Sequence, residues 1–114
     1  MIRFTILLLG VFLLLGYRGA AQATTSDEAA LQLATRMRDS LMLSTTQYDS
    51  IYAINQQINQ RNTAARLQYS QQSDSLQASL QRIEYSRDPL YRPVLGVDKY
   101  LLYKSKKRAL LTGN

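Results

Sequence analysis

The 114-residue chain contains no cysteine, no histidine and no tryptophan. Without thiol or imidazole, disulfides, Cys- or His-based nucleophilic catalysis and Cys- or His-ligated zinc sites are excluded. Beyond the initiator, Met37 and Met42 are the only soft metal ligands, which argues against a metal sensor or scavenger. Neither a glycine-rich phosphate loop nor a dense carboxylate cluster occurs. Asp74 and Glu84 fall in one helical stretch about 15 Å apart along its axis, and they read as solvated charges rather than a catalytic pair. The composition therefore points away from an enzyme and implies neither a cofactor nor a metal. Proline and glycine are also scarce. Both are missing from Thr24 through Asp88, which permits long uninterrupted helix.

Long apolar runs are confined to the first residues. Arg3 supplies a positive start, and "FTILLLGVFLLLG" (Phe4–Gly16) is a compact apolar stretch. It is shorter than the roughly 20 residues that a membrane-spanning helix needs. Small residues then surround Ala21-Gln22-Ala23, a signal-peptidase pattern with cleavage after Ala21 or Ala23. Residues 1–23 are expected to be a cleaved secretory signal, and residues 24–114 a single exported domain. With no cysteine at the junction, a lipid anchor is excluded. Setting Arg3 and Arg18 aside with the leader leaves 12 of the 14 basic residues against 8 acidic ones, a net +4. That surplus suits acidic partners but is too small and dispersed for nucleic acid. A domain of some 90 residues buries a limited share of its surface, so a homodimer is expected.

The remaining pattern is helical throughout. Thr25 and Glu28 have capping-box spacing, and Ala30, Leu33, Ala34, Met37 and Leu41 form one apolar stripe, giving a helix that ends near Met42. In "LSTTQY", Ser44 suits the N-cap and Gln47 the reciprocal position. Leu43 and Tyr48 flank them as a hydrophobic staple. From Thr45 an intermittently apolar seam runs through Tyr48, Ile51, Ile58, Ala65, Tyr69, Leu76, Leu80 and Ile83, with Asn55, Asn62 and Gln72 between. It predicts one helix of about 40 residues, or two with a break around Gln60–Thr63. Pro89 and Pro93 are expected to stop the helix in "SRDPLYRPVLG". A last short helix, "VDKYLLYKSKKRALL", carries Lys104, Lys106, Lys107 and Arg108 toward its own C-terminal dipole. The final "TGN" is expected to fray.

"LSTTQ" (Leu43–Gln47), followed by "YDSIYAIN", resembles the Leu-Thr-x-x-Gln motif of the small periplasmic Spy/CpxP-like proteins, with Ser44 replacing Thr. "VLGVDKYLLY" resembles the family's second copy, keeping Val94, Leu95 and Tyr100. There Gly96 stands in place of the capping Thr and Lys99 in place of Gln. The upstream "SRDPLYRPVL" is similar to the Arg-Asp-x-x-Leu stretch that precedes the second motif. The resemblance implies an all-α fold of three to four helices with a long central helix or hairpin, in a Spy-like cradle. It also implies an ATP-independent periplasmic chaperone, or an envelope-stress-associated binding protein. Its partners would be unfolded or partly folded envelope proteins. On this chain Arg66 with Tyr69, and Arg82 with Tyr85, lie at i,i+3 and are the candidate client contacts, extended by Arg61. The alternative is a structural or regulatory helical adaptor bound to a single envelope regulator. Contact of the basic tail with a membrane surface ranks behind both.

Overall fold

The computed structural model describes residues 27–113. The expected leader and the expected cap at Thr25 lie outside them. The described chain is all-α: α1 spans 27–41, α2 Thr45–Gln68, α3 Ser73–Tyr85 and α4 Arg87–Thr112. Strands are absent among the described residues. None of these helices is long and apolar enough to cross a membrane.

The stripe on α1 forms the centre of the core. Ala30, Leu33, Ala34, Met37 and Leu41 are all buried, because steps of three and four keep them on one helical face. Met42, at φ 55°, turns the chain out of α1. Leu43 is buried, and Tyr48 packs against the same cluster, as the staple requires. Ser44 caps α2 with both halves of the box present: Gln47 N–H donates to Ser44 Oγ at 3.2 Å, and Ser44 N–H donates to Gln47 Oε1 at 3.1 Å.

Two expected breaks move. The helix from Thr45 passes straight through Gln60–Thr63 and ends at Gln68, with Tyr69 as its C-cap. The chain then reverses over 69–72 and returns as α3. Nor do the prolines stop the next helix, since 87–95 is helical. Pro89 sits in the first turn, where its missing N–H is an orphan in any case, and Pro93 gives up one bond near the end of a short helix. The true break is Gly96, at φ 77° and ψ 171°. It divides α4 into α4a (87–95) and α4b (97–112). Of the "TGN" expected to fray, Thr112 is helical and Gly113, at φ 78°, caps α4 by donating to Ala109 O at 2.9 Å, while Asn114 lies outside the described residues.

The helices pair antiparallel. Asn55 on α2 reaches Ala30 O, so α2 runs back along α1. Gln47 faces Val94 while Asn55 faces Arg87, which sets α4a against α2. Arg36 reaches Leu110 O and Lys106 reaches Ser40 O, which lays α4b along α1. Tyr91 and Tyr103 meet edge-to-face across the Gly96 corner, centroids 5.1 Å apart. Beyond Ile58, α2 buries only Ala65, and α3 buries no residue. That part is an arm two helices thick, with Leu76, Leu80 and Ile83 of α3 half-buried.

Gly96→Ala should cost about 1–3 kcal/mol in chemical denaturation. The site has open space, with nothing within 4 Å of an added Cβ, so the cost arises from a backbone region that essentially only glycine adopts. A loss below a few tenths would show that the corner can relax.

Candidate functional site

Three polar clusters tie this fold together, and each joins segments distant in sequence. At the first, the α1–α2 corner meets the α4 corner. Gln47 Nε2 donates to Val94 O at 3.2 Å and Leu95 O at 3.5 Å, satisfying carbonyls left open where α4a stops at Gly96. Lys99 Nζ donates to Gln47 Oε1 at 2.9 Å and to Met42 O at 2.8 Å. A cation thus rests at the C-terminal end of α1, where the helix dipole favours it. Lys106 adds a second, donating to Ser40 O at 3.3 Å.

The second cluster centres on Asp88 in the first turn of α4a. Its carboxylate accepts from Tyr103 Oη at 2.8 Å, Lys104 Nζ at 2.6 Å and Lys107 Nζ at 3.0 Å, all on α4b. Burial works to raise the Asp88 pKa, but the hydrogen bonds from Lys104, Lys107 and Tyr103 outweigh it and hold the carboxyl below its usual range. Burial and the bond to Asp88 push the Tyr103 phenol upward. The basic cluster was expected to complement its own helix end, yet no basic residue lies in the last turn of α4. Lys104 and Lys107 instead latch the two halves of α4.

The third cluster is buried. Arg87, 6% exposed, holds Glu84 through Nε at 2.9 Å and Nη2 at 3.2 Å. Its Nη1 donates to Tyr91 Oη at 2.8 Å and Asn55 Oδ1 at 3.4 Å, and Tyr91 Oη also donates to Asn55 Oδ1. Asn55 Nδ2 completes the cluster on Ala30 O at 3.2 Å. Burial works against the Arg87 charge, but Tyr91 and Glu84 more than compensate and raise its pKa. Burial pushes Tyr91 up to about 12 against the pull of Arg87. Glu84, read from sequence as solvated, is therefore ion-paired. Beside this cluster opens a groove of about 280 Å³, lined among others by Arg36, Asn55, Glu84 and Arg87.

The candidate contacts from the sequence do not converge. Arg61 and Arg66 are exposed on α2, while Tyr69 is half-buried at its C-cap. Arg82 and Tyr85 are exposed near the far end of α3, and Tyr85 Oη accepts from Gln81 at 2.8 Å. The Arg66/Tyr69 pair lies at the tip of the arm. The Arg82/Tyr85 pair lies at its base, nine helical steps or about 14 Å further along α3. Sequence reasoning gave Arg36 no role and placed Arg87, Asp88 and Lys99 only as motif positions, without their partners. Only the Asn55 position inside an apolar seam signalled a buried polar partner.

The fold and its sites define a small all-α protein whose two corners interlock and whose outer arm is thin and polar. Searches against protein-family profiles, curated proteins and solved structures returned no match.

Ser44→Ala removes one cap bond and should cost about 1 kcal/mol. Gln47→Ala also strands the α4a carbonyls and Lys99, so about 2–3 kcal/mol is expected. In a double-mutant cycle with Lys99→Ala the two should couple by more than about 0.5 kcal/mol. Strict additivity in urea unfolding would rule the interlock out.

The Asp88 latch has a defined pH signature. Because its folded pKa is lowered, its contribution is present above the unfolded value near 4 and is lost as pH falls through the folded value. Tyr91 acts at the opposite end: its contribution is full below pH 10 and fades as pH rises toward about 12. Asp88→Asn should lower the unfolding midpoint at pH 7 and flatten the acid limb. An unchanged acid limb would exclude Asp88 as its source.

Proposed function

We propose that this is an exported, ATP-independent chaperone or envelope-stress-associated binding protein of the Spy/CpxP-like kind, acting in the periplasm. The observation that carries the reading is the pairing of the corners. "LSTTQ" forms a complete capping box, and its Gln47 docks on the "VLGVDK" corner that resembles the second motif. Two motif copies meeting in space explain why a fold would repeat them. The arm supplies the working surface. Leu67 is 77% and Tyr85 69% exposed, on the same arm as the exposed cations Arg61, Arg66 and Arg82. Large apolar groups next to cations suit loose, reversible contact with unfolded or partly folded envelope proteins: charge steers the encounter and apolar burial is modest. An arm with no fully buried α3 residue also gains from a second copy, which supports the homodimer.

In an aggregation-suppression assay, equimolar protein should slow client aggregation several-fold. Arg66→Ala with Leu67→Ser, and Arg82→Ala with Tyr85→Ser, should weaken the effect while leaving the helical circular dichroism unchanged. Aggregation unaffected by the native protein, together with stoichiometric capture of one envelope protein, would replace this reading with the adaptor.

A further inference from the structure

The groove beside Arg87 opens where the base of the arm, through Asn59 and Glu84, meets α1 and α4, and its chemistry is independent of the chaperone reading. One wall is apolar, from Ala30 and Leu33 of α1 and Leu111 of α4b, and Asn55 lies among the polar residues that line it. The opposite chemistry is cationic. Arg36 is half-buried and anchored by its Nε, which donates to Leu110 O at 3.0 Å. Among the described residues its two terminal nitrogens have no hydrogen-bond partner, leaving four N–H donors in a fixed fork. Arg87 is rigidly held and its charge is matched by Glu84, which both Nε and Nη2 grip. Asp27 does not line the groove, and its carboxylate accepts from Gln56 at 2.9 Å. Among the described residues, Arg36 therefore lines the groove as a cation with no carboxylate partner. A planar guanidinium with free donors, beside an apolar wall, is matched by a carboxylate carrying an apolar body.

We propose that this groove binds one amino-acid-sized carboxylate with an aliphatic body, its carboxylate on Arg36 and its body against Leu33 and Leu111. A volume of about 280 Å³ stands just below the range of small-molecule pockets, about 300–1,000 Å³. It is large enough for a single amino-acid residue. The same chemistry is offered by a free small acid and by the C-terminal residue of a polypeptide.

The test is an NMR titration of protein expressed from the full chain, using N-acetyl-leucine as probe and N-acetyl-leucinamide as control. Saturable shifts at Leu33 and Asn55 are expected with the acid and not with the amide. Arg36→Ala should weaken binding roughly tenfold to a hundredfold, the value of charge-assisted hydrogen bonds. Ala29→Phe keeps the proposal falsifiable if the arginine variant unfolds. Ala29 lines the groove from an exposed helical position, so its enlargement should abolish binding with helicity intact. A pentapeptide ending in free leucine, compared with its amide, separates the sources. Binding of the free-ended peptide assigns chain ends, and binding of the small acid alone assigns a small free acid. No saturation by about 10 mM, equal binding of the amide, or unchanged binding in both variants would overturn the assignment.

Discussion

One side-chain amide holds the corners of this protein together. Gln47 accepts at Oε1 from Ser44 N–H and Lys99, and donates at Nε2 to Val94 O and Leu95 O. Through these bonds the start of α2, the end of α4a and the start of α4b are fixed at one point, and Lys99 carries the tie on to Met42 O at the end of α1. The position demands donor and acceptor together. A glutamate would satisfy Ser44 and Lys99 but turn an oxygen toward the open carbonyls of α4a. An apolar residue would strand all four partners. The capping box thus does two jobs, and the second explains why it is Gln, not Glu, at this corner.

The rest of the structure follows from a shortage of apolar material. The core is one narrow cluster along α1, filled out by Ile51, Tyr91, Leu95, Tyr103 and Leu110. Such a core sets a fold class more readily than a unique arrangement. The Asp88 latch and the Asn55–Arg87–Tyr91 cluster add geometry, because each group satisfies the others only in one packing. Among the described residues no buried side-chain polar atom lacks a partner. The large tyrosines do both tasks, burying a ring and placing a hydroxyl on a polar hub.

Local signals in the sequence were legible where a short-range rule decides the outcome. The α1 stripe obeys the helical period, and the Ser44–Gln47 box lies within a single turn. The turn at 69–72 was not legible, since Tyr-Ser-Gln-Gln contains no helix breaker, and α3 folds back to pair with α2. The prolines misled because their cost depends on position: Pro89 sits in a first turn, and Pro93 lies two residues before a glycine that ends the helix anyway. Lys99 looked like a motif position gone astray, yet it reaches a partner 52 residues away. Arg87 and Asp88 stood only as part of a stretch similar to a family motif, with no partner assigned to either. No periodicity argument anticipates contacts of that range.

The uneven packing divides the molecule into two mechanical regimes. Around the corners, α1, α2 and both halves of α4 share charge-assisted bonds and a buried core, so opening there requires breaking several contacts at once. Along the arm, α2 beyond Ile58 and all of α3 together bury Ala65 alone, and local opening should cost far less. A surface that adapts to varied partners belongs on the second regime, because reordering its side chains and even its α2–α3 spacing sacrifices little burial. A groove that discriminates a carboxylate from an amide belongs on the first, where Arg87 and Asn55 are already locked and binding need not order them.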